Sequence, residues 1–239
     1  MSATPLPRPL PAPRSLGSGY APTHLVLIPA LLALLAFAVQ FSSVDLAVTR
    51  HFFDAGANRF PLQAVALIEN LGHQVLPVLP GLVAAVAVGL LIASYRVEWF
   101  RPWRAAAASL LLAMLLAPLT IAVLKQFTAL PRPYALAMFG GGLPWPTTFW
   151  AGAGQPAGHA LPSHHAGSGF AVGLLYFLGL AMQRPRLRWC GLAAGMLCGA
   201  AFAWVRIAQG AHFLSQTCWS ALIVWTVGAL CFWPVMRRR

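Results

Sequence analysis

The amino-acid sequence predicts an all-α protein, a bundle of six transmembrane helices, on three observations. Hydrophobic residues make up 59% of the 239 and charged residues only 8%, whereas a soluble domain carries about 25% charged residues. Six apolar runs, 25–43, 75–94, 105–124, 166–183, 189–205 and 217–234, have about the length that a helix needs to cross a bilayer. The arginines, finally, gather on alternate connections between these runs.

Each element follows in order. Residues 1–24, rich in Pro with Ser and Gly, bury no core and read as a disordered cytoplasmic tail. Residues 25–239 form the membrane domain. Its first run contains Ala36-x-Ala38, which imitates a signal-peptidase site, but the run exceeds the 7–15 residues of a signal h-region and reads as an uncleaved anchor. The fifth run spaces Gly191, Gly195 and Gly199 four apart, a pattern that permits close helix approach in lipid. Cys190, Cys198, Cys218 and Cys231 fall in or beside the last two runs and read as free thiols.

The charges orient the spans. Arg8 and Arg14 precede the first; Arg96, Arg101 and Arg104 separate the second from the third; Arg184, Arg186 and Arg188 separate the fourth from the fifth; Arg237, Arg238 and Arg239 follow the sixth. In a six-span layout all four groups share one side, as the positive-inside rule requires. The net charge of +12 is therefore topological, and a nucleic-acid partner is not expected.

The opposite face receives segments 44–74, 125–165 and 206–216. Lys125, Arg132 and Arg206 lie there against the charge rule, and Lys125 and Arg206 sit at span ends, where ionisable groups serve a function or snorkel. Their neighbours are "KQFTALPRP", "PSHH" and "RIAQGAHFLSQ". Read in order as Lys-x6-Arg-Pro, Pro-Ser-x-His and Arg-x5-His, these pieces resemble the three-part signature of the type 2 phosphatidic acid phosphatase superfamily. The resemblance covers the six-span layout, with the signature inside residues 125–216.

That resemblance implies a lipid phosphatase in which His212 attacks phosphorus to form a phosphohistidine, while His165 protonates the leaving oxygen and then activates water. Histidine suits both tasks because its reference pKa of about 6.5 keeps both protonation states within reach. Lys125, Arg132 and Arg206 supply charge for the phosphoryl oxygens. Ser163 and the backbone N–H groups at 163–165 open the fourth span, where a helix N-terminus attracts an anion.

Two positions depart from the family pattern. His164 stands where the family usually has glycine, and it reads as an auxiliary phosphate contact. Gln216 stands where the family usually carries the aspartate that orients the attacking histidine. A spacing of four puts Gln216 and His212 on one helix face, so the amide oxygen can accept the Nδ1 proton. No carboxylate follows Glu98, so either Gln216 suffices or Asp45, Asp54 or Glu69 approaches His212.

The same scarcity of carboxylates argues against a metal, and no cofactor is expected. Phe139, Trp145, Phe149 and Trp150 make the 125–165 connection read as a partly embedded cap. The expected partner is a phosphorylated membrane lipid: phosphatidic acid, phosphatidylglycerol phosphate, undecaprenyl pyrophosphate or a lipid A phosphate. The layout suggests a bacterial inner membrane, with cytoplasmic termini and a periplasm-facing site. A lipid phosphotransferase, or a non-catalytic lipid-binding or transport protein of the same fold, stands as the alternative.

Overall fold

The computed structural model describes residues 19–65, 70 and 78–237. Glu69 and most of the expected tail lie outside them. All regular structure among the described residues is helical, and extended backbone occurs only as isolated bridges such as Thr128 with Trp150. Among the described residues five helices are long and apolar enough to cross a membrane.

A π-helical turn, Ala21–Leu27, runs into α1, Ile28–Gln40. Part of what composition assigns to the tail is therefore packed structure. Tyr20 is 2% exposed and donates its hydroxyl to Ala229 O at 2.9 Å, and the His24 ring stacks on Tyr20. The short α2, Val44–His51, follows, then α3, Val78–Arg96. After a 3₁₀ turn at Glu98–Trp103 comes α4, Arg104–Leu124.

The fourth predicted span takes an irregular form. It begins as α5, His164–Ala171, tightens into a 3₁₀ turn at Val172–Leu174, and resumes as α6, Leu175–Ala181. No piece reaches spanning length by itself, so the expected six long helices are observed as five plus this broken one. The segment lies at the centre of the bundle, with Tyr176, Phe177, Leu178 and Leu180 all buried. Its interior position explains the run of apolar residues, most of which are buried against protein.

α7, Pro185–Ala208, packs closely on this broken helix, and glycine makes that contact possible. A Cβ on Gly195 would lie 2.3 Å from Gly173 Cα, and one on Gly199 would lie 2.1 Å from the Phe170 ring. Gly191 meets Leu175 in the same way. The pairs 199 with 170, 195 with 173 and 191 with 175 run in opposite directions along the chain, so α7 is antiparallel to α5–α6. α8, Leu214–Met236, packs against α1, α4 and α5. Connections 125–163 and 209–213 consequently meet at one end of the bundle, and the turns bearing Arg101 and Arg184 lie at the other.

Candidate functional site

Four segments converge where α4 ends, α5 begins, α7 ends and α8 begins. Lys125 is the C-cap of α4. Ser163 is the N-cap of α5, its hydroxyl accepting from Ala166 N–H at 3.3 Å. His164 and His165 form the first turn of that helix. Arg206 occupies the last turn of α7, and Gly210, at φ +66°, reverses the chain so that His212 points back beside it. A Cβ on Gly210 would fall 2.4 Å from the Phe60 ring, so only glycine fits this turn. The N–H groups of Ala211 and His212 then both donate to Arg206 O, at 2.8 and 3.3 Å.

The two imidazoles lie with ring centroids 6.3 Å apart. His165 borders a cavity of about 410 Å³, together with Arg132, Tyr134, Arg206, Gln209, Ala211 and Gln63. Arg132 donates to the Tyr134 hydroxyl at 2.5 Å, and Arg206 donates to Gln209 Oε1 at 2.9 Å. The Tyr134 hydroxyl and the Gln209 amide oxygen are neutral acceptors that help to aim the two guanidinium groups.

His212 is buried, and its surroundings define its tautomer. Gln216 Oε1 lies 2.8 Å from His212 Nδ1 and also accepts the Phe213 N–H at 3.2 Å. Gln216 Nε2 donates to Pro131 O at 3.2 Å. The Phe213 N–H and the Pro131 carbonyl together fix which end of the amide is oxygen. Nδ1 must then carry the proton, leaving an unprotonated Nε2. Burial, helped by the charges of Arg206, His165 and Lys125, pushes His212 down to about 3 and outweighs the bond to Gln216.

Lys125 is lowered from its ordinary value by burial and by Arg132, and His164 by burial and by Lys125. The cations and histidines thus lie close enough to repel one another. Such an arrangement is complementary to an anion, whose arrival would relieve every one of these repulsions.

Two expectations change. The Ser163 N–H donates to Gln216 O at 3.0 Å, so it is unavailable to a ligand, and the fully buried Ser163 side chain caps its helix. Ser163 caps α5, and His165 in the first turn of that helix borders the cavity. Asp45 approaches the start of α8 and not the imidazole. Its carboxylate accepts from Ser215 N–H at 2.8 Å and from the Ser215 hydroxyl, one residue from Gln216. Burial raises its pKa above the usual carboxylate value, against the lowering effect of these donors. Asp54 instead closes its own turn, accepting from Ala57 N–H at 3.0 Å.

Phe139, read from sequence as part of an interfacial cap, is buried against Phe53, Phe60 and Phe213. Trp145 and Trp150 are exposed, as a cap would have them. Tyr134, Gln209 and Gln63 join the cavity without belonging to the sequence signature. Tyr134 and Gln209 follow Arg132 and Arg206 by two and three residues, a spacing that a search for local partners would find. Gln63 comes from a 3₁₀ turn at Pro61–Ala64 and leaves no local signal.

A family model for the PAP2 superfamily matches residues 106–239, a stretch holding every site residue from Lys125 to Gln216. The chain belongs to the PAP2 superfamily. No curated protein and no solved structure matches it. PAP2 membership carries phosphatase chemistry on phosphorylated lipids at the coarse level. The PAP2 match leaves out α1, α2 and α3, so Asp45 and Gln63 lie outside the matched residues.

Proposed function

We propose that this protein is a metal-independent phosphatase of membrane lipid phosphates or pyrophosphates, acting through a phosphohistidine. One observation carries the reading: the Gln216 amide holds the proton on Nδ1 of His212, leaving Nε2 as a lone-pair nucleophile near His165 and the arginines. The phosphoryl group would sit among Lys125, Arg132 and Arg206, with His164 and the first turn of α5 as further contacts.

In the first step His212 Nε2 bonds to phosphorus, the P–O bond to the lipid breaks, and His165 gives its proton to the departing oxygen. In the second, His165 takes a proton from water, the hydroxide bonds to phosphorus, and the P–N bond breaks to release phosphate. The cations stabilise the spread negative charge in both steps. Gln216 orients without adding charge, so the imidazole remains a nucleophile over a wide acidic range.

The candidate substrates are phosphatidic acid, phosphatidylglycerol phosphate, undecaprenyl pyrophosphate and lipid A phosphate. We place the chain in a bacterial inner membrane with both termini cytoplasmic and the site periplasmic, from the arginine clusters at the opposite end of the bundle. Purified protein in detergent should release inorganic phosphate from at least one of these lipids, and His212→Ala should release none. Acid-labile label retained on His165→Ala but not on His212→Ala would identify the attacking nitrogen. Absence of release from every lipid would defeat the phosphatase reading, and transfer to an added lipid alcohol in place of water would favour a phosphotransferase.

A further inference from the structure

Tyr134 brings to the cationic cavity a polar group that has no part in the two steps above. Arg132 meets Pro133 with extended backbone, and the 3₁₀ turn Pro133–Ala135 then carries Tyr134 to the same cavity. The Tyr134 N–H donates to Gly210 O at 3.0 Å, which ties this turn to the one that delivers His212. Its ring packs against the buried cluster that holds Phe60, Leu136, Phe139 and Phe213. Backbone and ring thus hold the phenol in place without help from the hydroxyl.

The hydroxyl oxygen accepts from the Arg132 guanidinium at 2.5 Å. Arginine offers no acceptor in return, so the phenolic proton must point elsewhere. Among the described residues no acceptor takes it. Across the cavity Arg206 can only donate, and the Gln209 amide oxygen already accepts from Arg206. A hydroxyl that accepts from a cation is polarised by it, which strengthens its own proton as a donor. The cavity therefore presents two guanidinium groups and one polarised O–H, all of them donors suited to an anion.

We propose that the Tyr134 hydroxyl is a catalytic donor, bonding a non-bridging oxygen of the phosphoryl group that Arg132 holds; the inference rests on the phosphatase reading above. No covalent bond forms or breaks at the phenol, which keeps its proton through both steps. Its contribution grows as negative charge spreads over the equatorial oxygens in the transition state. Tyr134 lies just past the Lys-x6-Arg-Pro piece, so a phenylalanine there would keep the signature and lose the donor.

Tyr134→Phe retains the ring and the bond to Gly210 and removes the hydroxyl alone. With a lipid phosphate, kcat/KM should fall roughly 10- to 100-fold, the range for a lost hydrogen bond to a charged group. Thermal unfolding in detergent would show that the variant is folded. A folded variant with wild-type kcat/KM would overturn the proposal.

A ring-fluorinated tyrosine placed at 134 alone separates a donor from an acceptor that only aims Arg132. Fluorine makes the phenol more acidic, while its oxygen still accepts from the guanidinium. As pH rises and the fluorinated phenol ionises, followed by its fluorine NMR signal, activity should decline in a window where the wild type holds steady. Activity that persists after ionisation would reduce Tyr134 to an aiming role and sink the idea. Inorganic phosphate, which presents the same oxygens, should bind Tyr134→Phe about tenfold more weakly than wild type. If the wild type hydrolyses no lipid phosphate, the phosphatase reading fails and this binding alone decides whether the phenol meets an anion. Equal affinity in both proteins, or binding to neither, would then count against it.

Discussion

Gln216→Ala removes the side chain that fixes the His212 tautomer, and the structure sets the size of the effect. Three buried groups lose their partner: His212 Nδ1–H, the Phe213 N–H and the Pro131 carbonyl. A buried donor left unsatisfied costs about 1–3 kcal/mol. The form protonated on Nδ1 is disfavoured by up to that amount relative to the form protonated on Nε2, which has no proton on Nδ1 to leave unsatisfied. At about 1.36 kcal/mol per tenfold, the nucleophilic share falls roughly 5- to 150-fold.

The loss belongs to kcat, because the cations proposed to bind phosphate are untouched and KM should stay within about twofold. Stability should drop by roughly 2–4 kcal/mol, with water in the vacated space rescuing part of the penalty. Phosphate release would be measured at saturating lipid, with thermal unfolding in detergent run alongside to show that the variant is folded. A folded variant with kcat within twofold of wild type would refute the assignment of the tautomer to Gln216.

Other outcomes follow from the same geometry. His212 titrates at about 3 in the folded protein against about 6.5 when unfolded. Between these values the unfolded chain binds a proton that the folded one refuses, so stability falls as pH drops from 6.5 toward 3. Thermal unfolding across that window should show a flatter profile for His212→Gln; an unchanged profile would contradict the burial argument. Asp45→Asn keeps one acceptor but removes the charge at the start of α8, and should cost about 1–2 kcal/mol, read as a lower Tm in detergent. Activity should survive excess chelator, and a loss restored by zinc would require a metal in the site.

Much of the site is legible in the sequence because its residues are chemically conspicuous. Lys125, Arg132 and Arg206 violate the charge rule that every other arginine cluster obeys, so their position alone demands an explanation. The His212–Gln216 bond is equally local, but it is not the helix-face pair that a spacing of four suggests: His212 precedes α8, and Gln216 in the first turn reaches back to it and to the Phe213 N–H. Gly191, Gly195 and Gly199 announce a close contact: small residues four apart leave a groove along one face.

The rest depends on pairings between distant parts of the chain. Asp45 and Ser215 are 170 residues apart, and nothing in either neighbourhood marks their bond. The Ser163 N–H goes to Gln216 O because α5 and α8 start side by side, which no periodicity reveals. The fourth span reads as a continuous apolar run, yet it breaks at Val172–Leu174, where it meets α7. Composition and spacing by themselves determined that the chain enters a membrane as helices, which end carries the arginines, and which cations and imidazoles face the other end. Tertiary structure decided the proton on His212, the work of Asp45 and the break in the fourth span. The division has a physical cause: transfer into lipid and helical repeat act over a few residues, whereas the partner of a buried polar group is whichever one the packing brings within 3 Å or so.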